Sequence, residues 1–207
     1  GAPEIRGWNR KKAPNMPNPN PDALEFLLTR RSRPSKTLGQ PVPDRSELLP
    51  ILTAAARTPD HGKLEPWRFI VLSRPSLLRL ADLAEARGRE LGLPDDKIYK
   101  GHAPIRTGHL AVAVIEVQKP SEKIPPLEQT YSAGAVCLAL LNAALASGWG
   151  ANWLSGWPSH DRHFMTEGLK LASHERIAGL IHIGTETTVP PERPRPEIDA
   201  ITTWQDS

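Results

Sequence analysis

Apolar residues along this chain recur with two different periods. Leu24, Leu27 and Leu28 follow Asp22 at helical spacing, so Asp22 is expected to cap a helix over residues 23–31 that Pro34 stops. Asp44 and Glu47 make a capping box ahead of Leu48, Leu49, Ile51, Leu52 and Ala55, which predicts a second helix ending at Ala56. Residues 67–72 read as a buried strand, and Ser76 is placed to open a helix with Leu77, Leu80, Leu83 and Ala84 facing inward. Residues 92–108 show no clear period and read as a loop or lid around Tyr99. Residues 110–117 are short, apolar and rich in valine, and predict a strand. The longest helix is expected over 128–147 and is apolar nearly all round, through Ala133, Val136, Leu138, Leu140, Leu141, Ala143 and Leu145. A helix with so little polar surface needs cover on most sides, which one small domain rarely provides, so it is expected at a dimer interface. A short strand over 148–153 then enters the turn Leu154-Ser155-Gly156; a modest helix over 161–171 and a core strand over 177–183 follow.

Proline sets the ends. Pro3, Pro14, Pro17, Pro19 and Pro21 make residues 1–21 an extended arm, and Pro190, Pro191, Pro194 and Pro196 make the tail extended as well. Between them, residues 22–207 form one domain with its tail. Its strands are few and short, which fits an α+β layer fold better than a doubly wound one.

Composition narrows the function classes. At 39% apolar and 24% charged, the chain has the balance of a soluble globular protein. No run approaches the eighteen apolar residues of a membrane helix, and the N-terminus lacks a secretory apolar stretch, so the expected location is the cytoplasm. The single cysteine, Cys137, lies in an apolar run and reads as buried filler. A net charge of +3 is too weak to argue for nucleic acid, and aromatic residues are not interleaved with the basic ones. The basic residues are nonetheless clustered: Arg30, Arg31, Arg33 and Lys36 crowd the end of the first helix.

Three stretches could carry chemistry. Residues 57–67 place Arg57, Asp60, His61, Lys63 and Glu65 in a helix-to-strand loop, where a rigid scaffold can aim polar groups; an ordinary charged turn has the same composition. Arg30-Arg31-Ser32 offers two guanidinium forks and a hydroxyl, suited to a phosphate, although arginines at a helix C-terminus also complement its dipole. Residues 152–156 could present backbone donors to a planar ring with Trp153 or Trp157 as a wall, or could be a tryptophan-rich core corner. His160 and His163 have metal-ligand spacing but no third ligand nearby. Ser155 has no nucleophile elbow around it, and the chain lacks both a Walker loop and a dinucleotide glycine motif.

Arg30-Arg31-Ser32, the loop from Pro59-Asp60-His61 to Glu65-Pro66-Trp67, the apolar helix ending in Gly148-Trp149-Gly150, Trp153-Leu154-Ser155-Gly156 and Ile183-Gly184-Thr185 occur in that order. Together they resemble the flavin-dependent nitroreductase family, most of all its short bacterial branch, over residues 22–202. The resemblance implies a three-layer α+β sandwich with a central, mostly antiparallel sheet, and a homodimer with FMN at each end of the subunit interface. It implies that Arg30, Arg31 and Ser32 hold the flavin phosphate and ribityl chain, with Arg195, alone or together with Arg193, as a looser addition to the phosphate site. Arg57 and His61 would reach the flavin from the other subunit, and Trp153, Leu154 and Ser155 would line its ring. NAD(P)H would pass a hydride to flavin N5, and a nitroaromatic, quinone or related electron-poor acceptor would take it in a ping-pong cycle, with no side chain as acid or base. Glu65 departs from the pattern, since many members carry Gln there. A carboxylate in that place either points away from the flavin or opposes the negative charge of its reduced form, which leaves a specialised or non-catalytic flavin-binding protein as the alternative.

Overall fold

A computed structural model describes residues 17–207. Most of the expected arm, residues 1–16, lies outside the described residues; its end, Pro21, already begins helix α1 (Pro21–Thr29). The cap of α1 is Asn20, whose side chain accepts from the Ala23 amide at 3.1 Å; Asp22 sits inside the first turn. A strand of two residues, β1 (Leu38–Gly39), and α2 (Arg45–Ala55) follow. The Asp44–Glu47 capping box is formed in both directions, at 2.9 and 3.2 Å.

The sheet is antiparallel in every described pairing. Strand β2 (Trp67–Ser73) pairs with β3 (Leu110–Val117), β3 with β5 (Glu175–Glu186), and β5 with both β4 (Gly150–Leu154) and β1. Residues 111–116 of β3 are all buried because helices cover both faces of this central strand. On one face, Leu110, Val112, Val114, Ile181 and Ile183 pack against α2 and α5 (Pro126–Ala146). On the other, Ala111, Ala113, Ile115, Ile177 and Leu180 pack against α3 (Arg74–Glu90), α4 (Asp95–Arg106) and α7 (Arg162–Leu169). A one-turn helix, α6 (Trp157–His160), precedes α7. Each large aliphatic side chain so buried contributes about 1.5–3 kcal/mol. The result is a three-layer α+β sandwich.

Three expectations are corrected here. Residues 92–108 hold helix α4 instead of a loop. Its inward positions are only Ile98, Gly101 and Ile105, so glycine fills a core place and blurs the apolar period. A Cβ at Gly101 would stand 2.2 Å from Trp157 Nε1, and that indole donates to the Lys97 carbonyl at 2.9 Å. Arg74 closes the other end of α4 by donating to the carbonyls of Arg106 and Gly108. Helix α3 begins before the expected Ser76 cap, with Ser73 at its N-cap and Pro75 in its first turn, where proline's missing amide costs nothing. Third, α5 is long and apolar enough, by length and composition, to cross a membrane, against the reading from the sequence. In the fold it is a packing helix: Ala133, Val136, Cys137, Leu140, Leu141 and Ala144 are buried against the sheet and α2. Burial among these residues pushes the Cys137 thiol up to about 12, so it stays protonated and unreactive near neutral pH.

Candidate functional site

The end of α1 turns its basic residues into a cup. Arg30 Nη2 donates to Ser32 Oγ at 3.1 Å, and Arg31 Nη1 donates to the Ser32 carbonyl at 2.7 Å. Arg31 also donates through Nε and Nη2 to the Pro191 carbonyl, both at 3.2 Å, which lays the tail across the cup. Arg195 in that tail reaches the Arg30 carbonyl at 3.5 Å and Glu192 at 3.0 Å. Arg33 stands 3.2 Å from Glu186, so four guanidinium groups gather here against two carboxylates.

Arg30 is the strained member of the group. Burial, then the adjacent cations of Arg195 and Arg31, pull its pKa below the ordinary guanidinium value, and its Nε is buried without a hydrogen-bond partner. An unpaired buried donor among like charges is stabilised by an anion more than by any other ligand. The cavity beside it, about 310 Å³, is also lined by Phe26, Leu145, Gly148 and Trp149, and by Glu186 beside Arg33. The donor set fits a phosphate.

The same loop continues into a second cavity. The Arg33 amide donates to the Ala151 carbonyl at 2.9 Å and Asn152 Nδ2 donates to the Arg33 carbonyl at 2.9 Å, which fastens the loop to β4. Beyond this clamp, Pro34, Ser35 and Lys36 form one wall of a cleft of about 430 Å³, Tyr99, Lys100 and other α4 residues form a second, and Asn152 and Leu154 complete it.

Strand alternation decides which of the 152–156 side chains reach this cleft. Asn152 pairs with His182 and Leu154 with Leu180, on the α4 face; Trp153 pairs with Ile181, on the α5 face. The Trp153 indole lies over Gly179, where a Cβ would meet it at 2.3 Å, beside Cys137. In this chain it therefore covers the opposite side of the sheet from the cleft. Ser155 lies just past the strand and meets His160 Nε2 at 3.3 Å.

Arg57 and His61 lie elsewhere. The Asp60 carboxylate accepts from the amides of Leu64 at 2.6 Å and Glu65 at 3.1 Å, holding a loop in which Gly62, Lys63 and Glu65 have positive φ. Ser132 on α5 donates to the Pro59 carbonyl at 3.2 Å, and His61 Nδ1 meets Glu128 at 2.6 Å, so the loop is docked on the start of α5. The arginine cup borders Leu145 at the end of that helix. At 1.5 Å per residue the two groups are about 25 Å apart along the helix axis.

Thus Arg30, Arg31, Ser32 and Arg195 form one cluster, Leu154 lines the neighbouring cleft, and Arg57 and His61 are at the far end of α5. Asn152, Lys36, Tyr99, Lys100 and Glu186 belong to these cavities without having been singled out as binding residues. For Arg33 and Lys36 the crowding of basic residues after α1 was the available signal; for Lys100 there was none.

The description "Nitroreductase family" matches residues 27–185 of this chain. A Haemophilus influenzae protein that carries the name of an NAD(P)H nitroreductase is 36% identical over 166 residues, covering 79% of this chain and 88% of its own length. An Escherichia coli K12 protein with the same kind of name is 33% identical over 165 residues, with the same coverage. Among solved structures, a nitroreductase-like protein from Bacillus cereus superposes with a TM-score of 0.71 at 21% identity, covering 93% of this chain and all of that one. A Desulfovibrio desulfuricans protein crystallised in complex with FMN gives 0.68 at 19% identity, covering 91% and 99%. The fold is theirs, and the match of the family description over most of the sequence shows that this chain belongs to the nitroreductase family.

Proposed function

We propose that the protein is an FMN-dependent NAD(P)H oxidoreductase that works as a homodimer and reduces small electron-poor acceptors. The observation that carries this reading is the arginine cup, with the buried, unpaired Arg30 Nε between Arg31 and Arg195. Arg30, Arg31, Ser32 and Arg195 would hold the phosphate of FMN by charge-assisted hydrogen bonds. Asn152, Leu154 and Ser155 would border its ring, and the clamp between Arg33 and β4 fixes the loop that joins the two binding regions. The chemistry FMN supplies when bound is two-electron transfer, from NAD(P)H and then, in a ping-pong cycle, to the acceptor. A nitro acceptor takes two electrons and two protons and leaves as the nitroso compound and water.

An exposed apolar face on α5 supports the dimer. Leu127, Tyr131 and Leu138 are exposed on α5, with Gly134 and Ala135 between them, an apolar face along the helix. A two-fold contact pairs each residue i with a partner's j and each j with the partner's i. Two α5 helices packed antiparallel in this way bring the Arg57–His61 loop of one protomer to the arginine cup of the other. That joins both basic groups at one site despite their separation within a chain. Trp153 would then act from the α5 face, as packing near the interface. Light scattering on the purified protein is expected to give twice the 22.8 kDa chain mass. Leu138→Glu, which sets like charges in that face, is expected to give monomers with weakened flavin binding; a monomeric wild type would overturn the arrangement.

The activity itself is tested by the visible spectrum of the FMN-loaded protein under anaerobic conditions. Flavin bands that bleach on adding NADPH or NADH, and return on adding an acceptor, are the expected result. Bands that persist with both nucleotides would favour a binding role, the outcome to which Glu65 points. Failure to take up FMN would remove the reading altogether.

A further inference from the structure

We propose that the cleft between α4 and β4 selects acceptors that carry a negative charge beside the reducible ring, with Lys36 and Lys100 as the selecting residues. This rests on the FMN oxidoreductase reading given above and names the substrate class of the same site. None of the residues lining the cleft is acidic. Lys36 enters from the turn after α1 and Lys100 from α4, so each of two walls carries a lysine. Neither has a salt-bridge partner among the described residues, whereas Arg106 on the same helix is neutralised by Asp82 at 2.8 Å and Glu85 at 3.1 Å.

The remaining lining suits a planar body. Pro34, Ala103, Pro104 and Leu154 are apolar, and Tyr99 stands at the rim, 65% exposed. The Tyr99 ring is held edge to face by His102, with centroids 5.6 Å apart, and Arg106 Nε donates to His102 Nδ1 at 3.4 Å. Such contacts brace the ring while leaving it open for stacking. Lysine is a flexible point charge, so a carboxylate or sulfonate can be met without one fixed geometry. The wall that carries Lys100 is rigid, because Gly101 lets the Trp157 indole pack directly on the α4 backbone. Two unneutralised cations around an apolar cleft, with no carboxylate in it, favour an anionic aromatic acceptor over its neutral isostere.

The test separates the acceptor from the donor. The FMN-loaded enzyme is reduced by light under anaerobic conditions, then mixed with 4-nitrobenzoate or with neutral 4-nitrobenzamide, and flavin reoxidation is followed. In the Lys36→Gln/Lys100→Gln double variant, the ratio of the benzoate to the benzamide rate constant is expected to fall about tenfold. In the wild type the same ratio should fall with rising salt, and in the variant it should not. An unchanged ratio, or equal losses for both acceptors, would overturn the proposal. So would a variant that loses reduction by NAD(P)H while keeping the ratio, since the lysines would then serve the donor's phosphates. If the wild type takes up no FMN, or neither acceptor reoxidises it, the oxidoreductase reading falls and the selectivity with it. Normal loading and turnover with an unchanged ratio removes the selectivity alone.

Discussion

Replacing Arg30 and Arg31 together with alanine is expected to weaken FMN binding a hundredfold or more, while riboflavin binding changes less than threefold. The two ligands share the ring and ribityl chain and differ only in the phosphate, so the comparison isolates the anion contacts. A charge-assisted hydrogen bond contributes about 1.5–3 kcal/mol, and two arginines lost together approach or exceed a factor of a hundred. The apo protein should not suffer in proportion. Arg30 is held among Arg31 and Arg195, and its lowered pKa reflects burial and their repulsion, so its removal relieves a cost that only an anion otherwise offsets. Unfolding midpoints without flavin are therefore expected to stay close to wild type, whereas the stabilisation that FMN adds should shrink sharply. The FMN affinity of the wild type should also fall with salt more steeply than that of the variant. Parallel losses for FMN and riboflavin would show that the cup does not grip a phosphate.

The parts of this arrangement that could be read from the sequence are those in which neighbours in the chain act together. Asp44 and Glu47 are three residues apart and cap each other in the fold, and residues 110–117 form the expected strand. The clustering of basic residues after α1 was visible for the same reason, since Arg30, Arg31 and Ser32 are consecutive. What stayed hidden depends on distant partners. Helix α4 lacks a full apolar stripe because its core position at Gly101 is completed by Trp157, from beyond β4. The two faces of β4 alternate, but only its register with β5 shows that Asn152 and Leu154 look toward α4 while Trp153 looks toward α5. The cleft cations are separated in the same way: Lys36 and Lys100 meet only after β4 and α4 have packed.

The stability of the fold is expected to fall by about 3 kcal/mol as pH drops from 6.5 to 4, through one residue on the central strands. His182 is 2% exposed on β5, both its ring nitrogens lack hydrogen-bond partners, and a Cβ at Gly108 would stand 2.6 Å from its Nδ1. Burial alone pulls its pKa down to about 4. The sign follows from the proton count. Below pH 6.5 the unfolded chain takes up a proton that the folded imidazole refuses until about pH 4, so acid favours the unfolded state across that window. The contribution is fully present above pH 6.5. Glu175 acts lower on the scale: Arg68 holds its carboxyl below the usual range, so its share is lost only as pH falls further. His182→Leu removes the titrating group and leaves no unpaired nitrogen in the core, so it should match or exceed wild-type stability at pH 5 and flatten the slope between pH 6.5 and 4. Urea unfolding at several pH values, with protein and flavin concentrations held fixed, measures both slopes. Equal slopes in the two proteins would show that the acid sensitivity resides in other groups, and that the imidazole finds a proton acceptor in the fold.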